Sequence, residues 1–138
     1  ILFIFLPDSL WIPSFKSFSL FFISLILAFS VRFLLHWLFS MICFWNDRAS
    51  AIERLLLIPY LFLSGLVAPL DAFPTSIRSI AYLTPFPYIL SFPSKLLAEQ
   101  DVEITASFFA LIIWGLLLLI LSYIFWEKGL RKYSGMGA

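Results

Sequence analysis

The stretch that decides the fold covers residues 63–97 and reads LSGLVAPLDAFPTSIRSIAYLTPFPYILSFPSKLL. It is strongly apolar, but five prolines divide it into short pieces: Pro69, Pro74, Pro85, Pro87 and Pro93. A membrane-crossing helix needs roughly 20 apolar residues in a run, and none of these pieces is that long. Irregular backbone at membrane depth is tolerated only where protein or a water-filled cavity covers it. The pattern therefore predicts a re-entrant helical hairpin at about residues 73–99 that does not cross and is shielded by flanking helices.

The composition of the whole chain indicates an integral membrane protein. Of its 138 residues, 62% are hydrophobic and only 12% are charged, whereas soluble domains contain about 45–50% apolar and about 25% charged residues. A formal net charge of +1 gives no argument for a nucleic-acid partner. We therefore expect an all-α, polytopic helical bundle in the lipid bilayer.

Three long apolar runs surround the broken stretch, and we expect spans at about residues 18–44, 51–70 and 104–126. The hairpin then lies between the last two spans. Residues 1–6 are apolar and begin without Met, as expected for the end of a helix whose start is missing. We therefore interpret residues 1–138 as one transmembrane domain, truncated at its N-terminus, with a basic, glycine-rich tail at residues 127–138.

The distribution of Lys and Arg predicts the orientation, because basic residues in short loops favour the cytosolic side. If the hairpin does not cross, the turn at residues 45–54 and the tail share one side. That side carries five basic residues in short segments: Arg48, Arg54, Lys128, Arg131 and Lys132. The opposite side carries Lys16, Arg78 and Lys95 over longer segments. We expect the turn and the C-terminus to be cytosolic and the hairpin to be external.

The first span carries a row of small and polar residues at steps of four: Ser24, Ala28, Arg32, His36 and Ser40. Such spacing places them on one helix face, and Arg32 would lie roughly 20 Å deep. A charge there costs about 2.5–3.5 kcal/mol or more unless it is paired or hydrated, so we expect this row to face the bundle. Arg32, His36 and Ser40 are candidates for a transport or packing face. A packing hydrogen bond, a substrate or proton role, and an Arg32 side chain that snorkels along a tilted helix all remain open.

The turn at residues 45–54, WNDRASAIER, is the second candidate site. It is either a solvated connection between two spans or a docking contact for a cytosolic partner. In the second case the contact residues are Asp47, Arg48, Glu53 and Arg54.

Motifs for catalysis are missing from the sequence. It has no metal-ligand spacing, the single His36 has no companion, and no phosphate-binding loop is recognisable. The acidic residues Glu99, Asp101 and Glu103 form either a cation site or a solvated loop face. We expect a chain that is not an enzyme and holds no cofactor.

The order of these features resembles the C-terminal half of the ABC-2 type permeases, the membrane subunits of a class of ATP-binding-cassette exporters. Phe44-Trp45 resembles the family's aromatic helix terminus. The series Ser64-Gly65, Pro69-Leu70, Phe73-Pro74 is similar to its signature before an external re-entrant helix pair. Further similar elements are Leu83-Thr84-Pro85-Phe86, Phe92-Pro93 and the ending from Trp126 through Gly129-Leu130-Arg131, Tyr133-Ser134-Gly135 and Gly137-Ala138. Glu99-Gln100 depart from the family pattern, because a Gly is common there.

The resemblance implies the permease subunit of an exporter in the bacterial inner membrane. Its partners would be a cytosolic ATPase subunit and a second permease subunit, forming a homo- or heterodimer. Residues 1–6 would end the third of six helices. Within this resemblance five residues set the helix ends and the hairpin: Gly65, Pro69, Pro74, Pro85 and Pro93. A non-transporting membrane scaffold is the alternative, and a membrane-embedded lipid-linked transferase is a further one.

Overall fold

The computed structural model describes residues 13–44 and 49–134, and the backbone in these ranges forms helices and no strand. Residues 1–6 and the end of the tail lie outside the described residues. This confirms the all-helical prediction for the part of the chain that is described. The helices are α1 (Phe15–Ser40), α2 (Ala49–Leu63), α3 (Thr75–Tyr82), α4 (Phe86–Ile89), α5 (Ser91–Leu97) and α6 (Ile104–Ser134).

Two of these helices, α1 and α6, are long and apolar enough to cross a membrane by length and composition. The side-chain oxygen of Ser14 caps α1 by accepting a hydrogen bond from the Ser17 N–H, at 3.2 Å. Large apolar side chains project outwards from both helices, with Phe29 69% and Phe109 66% exposed. Surfaces this apolar are typical of protein that contacts lipid or other helices.

The two long helices lie side by side and run in the same direction. A Cβ atom at Gly115 would lie 3.7 Å from Val31, so α6 approaches α1 closely there. Further along both helices, Trp37 stacks on Trp126 with ring centroids 6.1 Å apart. Two contacts in the same chain order fix the parallel arrangement. Between them, α1 and α6 form a groove that the broken segment enters.

Helix α2 is shorter than the sequence predicted. We expected an apolar span to continue to Leu70, but α2 ends at Leu63 and has 15 residues, or about 22 Å of helix. The reason is Gly65, whose φ of 82° ends the helix in the left-handed conformation that glycine adopts without a steric penalty. Pro59 lies inside α2, where it removes one ladder hydrogen bond.

The broken segment after α2 consists of a 3-10 turn (Leu70–Ala72) and helices α3, α4 and α5. Pro69, Pro74 and Pro85 each stand directly before one of these elements, and Pro93 is the third residue of α5. At the start of a helix the missing N–H of proline leaves no hydrogen bond unmade. Three of the pieces therefore begin directly after a proline, whereas α5 begins at Ser91, two residues before Pro93.

Helices α4 and α5 dock in the groove between α1 and α6. The buried core joins residues of all these elements: Ala28, Val31, Ile89, Phe92, Leu96, Leu111 and Leu118. At its centre the Phe92 ring meets the Phe108 ring edge-on, with centroids 5.2 Å apart. Burial of these side chains is what holds the short helices in place.

Two contacts give the depth of the broken segment along α1. At the end of α5, Glu99 Oε1 accepts a hydrogen bond from the Ser14 N–H at 2.9 Å, next to the first residue of α1. At the start of α4, Phe86 meets Tyr60 edge-on at 6.1 Å, and Tyr60 in turn contacts Arg32, beyond the middle of α1. The segment thus extends from the beginning of α1 to its middle.

Helix α6 is longer than the sequence predicted. The sequence predicts a span that ends near Trp126 and a basic, glycine-rich tail from residue 127, but the helix continues to Ser134. Glu127 and Lys128 are good helix formers. In addition, the Tyr123 hydroxyl donates a hydrogen bond to Glu127 Oε1, one turn away, at 2.9 Å. Charged residues end an apolar run, but they do not end a helix.

Candidate functional site

Arg32 is the charged residue that the sequence placed within the first span, and the structure joins it to Tyr60 of α2. Arg32 Nη1 donates a hydrogen bond to the Tyr60 hydroxyl at 3.0 Å. The guanidinium carbon also lies 4.8 Å from the centroid of the Tyr60 ring. Arg32 therefore has both a polar and a cation–π contact with a single neighbour.

A small pocket surrounds this contact where α1, α2 and α4 meet. Its volume is about 60 Å³, which is enough for water, because a water molecule needs at least about 10–15 Å³ measured in this way. Apart from Arg32 and His36 its walls are apolar and aromatic: Leu35, Leu56, Leu57, Tyr60, Phe86 and Ile89. The arginine therefore lies in a largely apolar pocket with room for water.

The charge of Arg32 is not neutralised in this pocket by any described carboxylate. A cation–π contact contributes about 0.5–2 kcal/mol and a hydrogen bond of a charged group about 1.5–3 kcal/mol, whereas a charge at membrane depth costs about 2.5–3.5 kcal/mol or more. Tyr60 thus offsets much of the cost but supplies no counter-charge. The remainder has to come from water in the pocket or from an anionic group that approaches the exposed side of Arg32.

The row of residues at steps of four does not face one neighbour along its whole length. Ser24 and Ala28 are buried, whereas Arg32, His36 and Ser40 are exposed on the chain as described. Ser40 donates its hydroxyl hydrogen to the Trp37 carbonyl at 2.8 Å. A step of four residues turns the helix by about 40° more than one full turn. The row consequently winds around the helix, and a single face towards the bundle stays a prediction.

The second candidate site is only partly described. Asp47 and Arg48 lie outside the described residues, and the side chain of Glu53 is not described either. Glu53 and Arg54 belong to the beginning of α2, and the Arg54 side chain is exposed. The contact with a cytosolic partner stays a prediction.

Gly65 follows the end of α2, and close packing does not require glycine there. The nearest atom to an added Cβ would be the Ser91 Cβ, at an ordinary 3.6 Å. The left-handed φ is what requires glycine. Ser64 beside it is completely buried, and its hydroxyl has no hydrogen-bond partner among the described residues.

Asp71 joins the two cations of the broken segment, a pairing that the sequence did not reveal. Its carboxylate lies 3.3 Å from Lys95 Nζ and 3.5 Å from Arg78 Nη1. Hydrogen bonding and attraction by Lys95, with a smaller contribution from Arg78, lower the pKa of Asp71 below its usual 3.8. Asp71 is well exposed and its two partners are partly exposed, so the pairs contribute little to stability. They connect the 3-10 turn to α3 and α5.

Glu99 is a further residue whose role the sequence did not show. Its φ is 52°, and it is the one described non-glycine residue with a positive φ. The sequence does contain a signal, since Glu99-Gln100 stand where the resembled family often has glycine. The Ser14 backbone N–H, with further hydrogen bonds from Ser14 and Ser17, lowers the pKa of Glu99 below its usual 4.5.

The sequence model described as ABC-2 family transporter protein matches residues 1–137, nearly the whole chain. No curated protein and no solved structure matches. A chain with apolar spanning helices that is matched over almost its full length by this family is a transport component of the membrane. The chain belongs to the ABC-2 transporter family.

Proposed function

We propose that this chain is part of the permease subunit of an ATP-driven exporter and that a separate cytosolic subunit hydrolyses the ATP. The observation that carries the proposal is the family match over residues 1–137. The subunit itself would perform no chemistry and hold no cofactor. Transport would follow from movement of its helices against those of a second permease subunit.

The broken segment supports a re-entrant arrangement. Its contacts reach from Ser14, at the beginning of α1, to Tyr60, which in turn contacts Arg32 beyond the middle of α1. A segment that enters to mid-depth and returns on the same side has this pattern of contacts. Lipid cannot satisfy irregular backbone, and the groove between α1 and α6 covers the part of the segment formed by α4 and α5.

Helix α2 would complete its crossing through residues 64–70. The helix alone measures about 22 Å, less than the roughly 30 Å of a hydrocarbon core. Ser64 and Leu70 are almost completely buried, whereas Leu66 and Val67 between them are more than half exposed. We place the broken segment outside and the turn at residues 45–54 and the C-terminus in the cytosol of a bacterial cell, from the distribution of basic residues.

The turn at residues 45–54 is the proposed ATPase contact in this chain. The double substitution Arg48→Glu, Arg54→Glu should weaken coupling without unfolding the spans, because both residues belong to a wet turn or its border. The full-length subunit is reconstituted with its cognate ATPase, and ATP turnover is measured with and without the subunit.

We expect the subunit to change ATP turnover and the double variant to lose most of that effect. The control Lys128→Glu reverses another exposed basic residue, outside the turn, and should retain the effect. ATP turnover that is indifferent to the presence of the subunit would refute the proposed function. An equal loss in the control would refute the assignment of the contact to the turn.

A further inference from the structure

A cleft with a volume of about 500 Å³ lies between the broken segment and the beginning of α6. Its walls come from the 3-10 turn, the end of α3, helices α4 and α5, the connection at residues 101–103 and the first turn of α6. It is separate from the Arg32 pocket, with which it shares no lining residue. Its size and position at the mouth of the groove make it a candidate binding site.

The charges that line this cleft favour a cation. Asp71, Asp101 and Glu103 are acidic, and Lys95 is the one basic residue among the described lining. The Lys95 ammonium is already held by Asp71 at 3.3 Å. Asp101 and Glu103 are exposed and form no ion pair with a described residue. An anion would have to displace Asp71 from Lys95 and approach two further carboxylates.

The aromatic residues in the wall of the cleft favour an organic cation over a metal ion. Tyr82 and Tyr88 have ring centroids 6.3 Å apart and ring planes inclined by 59°. The Tyr88 hydroxyl donates to the Tyr82 carbonyl oxygen at 3.0 Å, which fixes the Tyr88 ring. Both tyrosines line the cleft beside its carboxylates, and aromatic rings are a recurring part of sites for quaternary ammonium ligands. A small metal ion would make no use of them.

Apolar side chains complete the lining. Phe92, Val102 and Ala106 lie beside the charged and aromatic residues in the same cleft. A ligand that fills it therefore carries a positive charge at one end and hydrocarbon at the other. A free, fully hydrated cation would make no contact with these apolar side chains.

We propose that this cleft binds an organic ammonium ion that carries an apolar group. The idea that the ligand is cargo, bound on the outer side of the membrane, rests on the proposed export function. The binding of the ligand to the cleft does not depend on that function. Two sources have this chemistry, the choline headgroup of a phospholipid and a soluble ammonium compound.

The test measures binding of benzyltrimethylammonium to the full-length protein in nanodiscs of phosphatidylglycerol, by equilibrium dialysis against empty nanodiscs. We expect saturable binding that weakens about tenfold in the Asp101→Asn, Glu103→Gln double variant and about fivefold in Tyr88→Leu. Glu127→Gln removes a carboxylate outside the cleft and should leave the affinity unchanged. Competition by added phosphatidylcholine would assign the site to the lipid headgroup, and binding that persists would assign it to soluble compounds.

Three results would overturn the proposal: no saturable binding, equal binding of benzenesulfonate, or an equal loss in the Glu127→Gln control. None of them requires the ATPase. The ligand-binding proposal and the proposed export function can therefore be refuted independently, because the effect of the subunit on ATP turnover is measured in a separate experiment.

Discussion

At the scale of single residues, the local contacts of Arg32 do not by themselves explain why a charged residue stands there. Tyr60 supplies a hydrogen bond and a ring face, but no described carboxylate lines the pocket. A charge that is only partly compensated costs stability within one subunit. A residue kept at such a cost serves assembly or transport in our interpretation.

The prediction for Arg32 has two parts. Arg32→Leu should raise the thermal unfolding midpoint of the purified full-length subunit, because it removes a poorly compensated charge. The same variant should reduce ATP turnover of the reconstituted complex. Phe29→Leu, on an exposed part of the same helix, should change neither. A variant that is less stable and still fully stimulates the ATPase would contradict this account of Arg32.

Glu99 permits a second prediction, because its backbone strain and its contact with Ser14 can be separated. Glu99→Ala loses the carboxylate and keeps the strained φ, whereas Glu99→Gly loses the carboxylate and relieves the strain. We expect the Gly variant to be the more stable of the two, by about fivefold in the unfolding equilibrium. Denaturant titration in micelles measures the difference, and equal midpoints would show that the φ carries no cost.

The contact itself has a defined pH dependence. The folded-state pKa of Glu99 is lowered, so its contribution is present above the usual 4.5 and is lost as the pH falls through the lowered value. The wild type should therefore lose stability relative to Glu99→Gln only in acid, and the two should keep a constant difference between pH 6 and pH 8.

Among individual residues, the sequence indicated those that act through local backbone chemistry. The prolines stand where helices begin, as expected, because their effect depends on their own peptide bonds. Tyr60 could not be predicted as the neighbour of Arg32, since 28 residues separate them and the contact depends on how α1 and α2 pack. For the same reason the pairing of Lys95 with Asp71 was not visible.

At the scale of elements, the boundary of α2 shows where sequence reasoning erred. The apolar run predicts a span to Leu70, but the helix ends at Leu63, where Gly65 stops it through its left-handed φ. Apolar composition continues beyond a helix when protein covers the irregular backbone. The predicted end of α6 is wrong in the opposite direction, because this helix extends beyond the apolar run.

Gly65→Ala tests the importance of that helix end. No atom obstructs an added Cβ, so the expected cost is the backbone penalty of about 1–2 kcal/mol. The control is Gly115→Ala in the middle of α6, where the Cβ would meet Val31 at an ordinary 3.7 Å; there we expect no loss, or a gain of up to about 1 kcal/mol. Unfolding free energies in micelles measure both. A Gly65→Ala variant as stable as the wild type would show that α2 can end elsewhere.

At the scale of the whole molecule, α1 and α6 form a parallel pair that holds the broken segment between them. The sequence predicted both helices and the breaks. It did not predict that the segment reaches from the beginning of α1 to its middle, because depth is a property of tertiary contacts. That depth supports a segment that enters the membrane and returns.

The central claim of this account is that the broken segment does not cross, so that the turn at residues 45–54 and the C-terminus lie on one side. Single cysteines at Ser50, Gln100 and Ser134 in a Cys43→Ser background of the full-length protein test it directly. An impermeant thiol reagent is applied to intact cells and then to permeabilised cells. We predict that intact cells label position 100 alone and that permeabilised cells label all three positions. Labelling of position 134 but not of position 50 in intact cells would show that the segment crosses and would contradict the account.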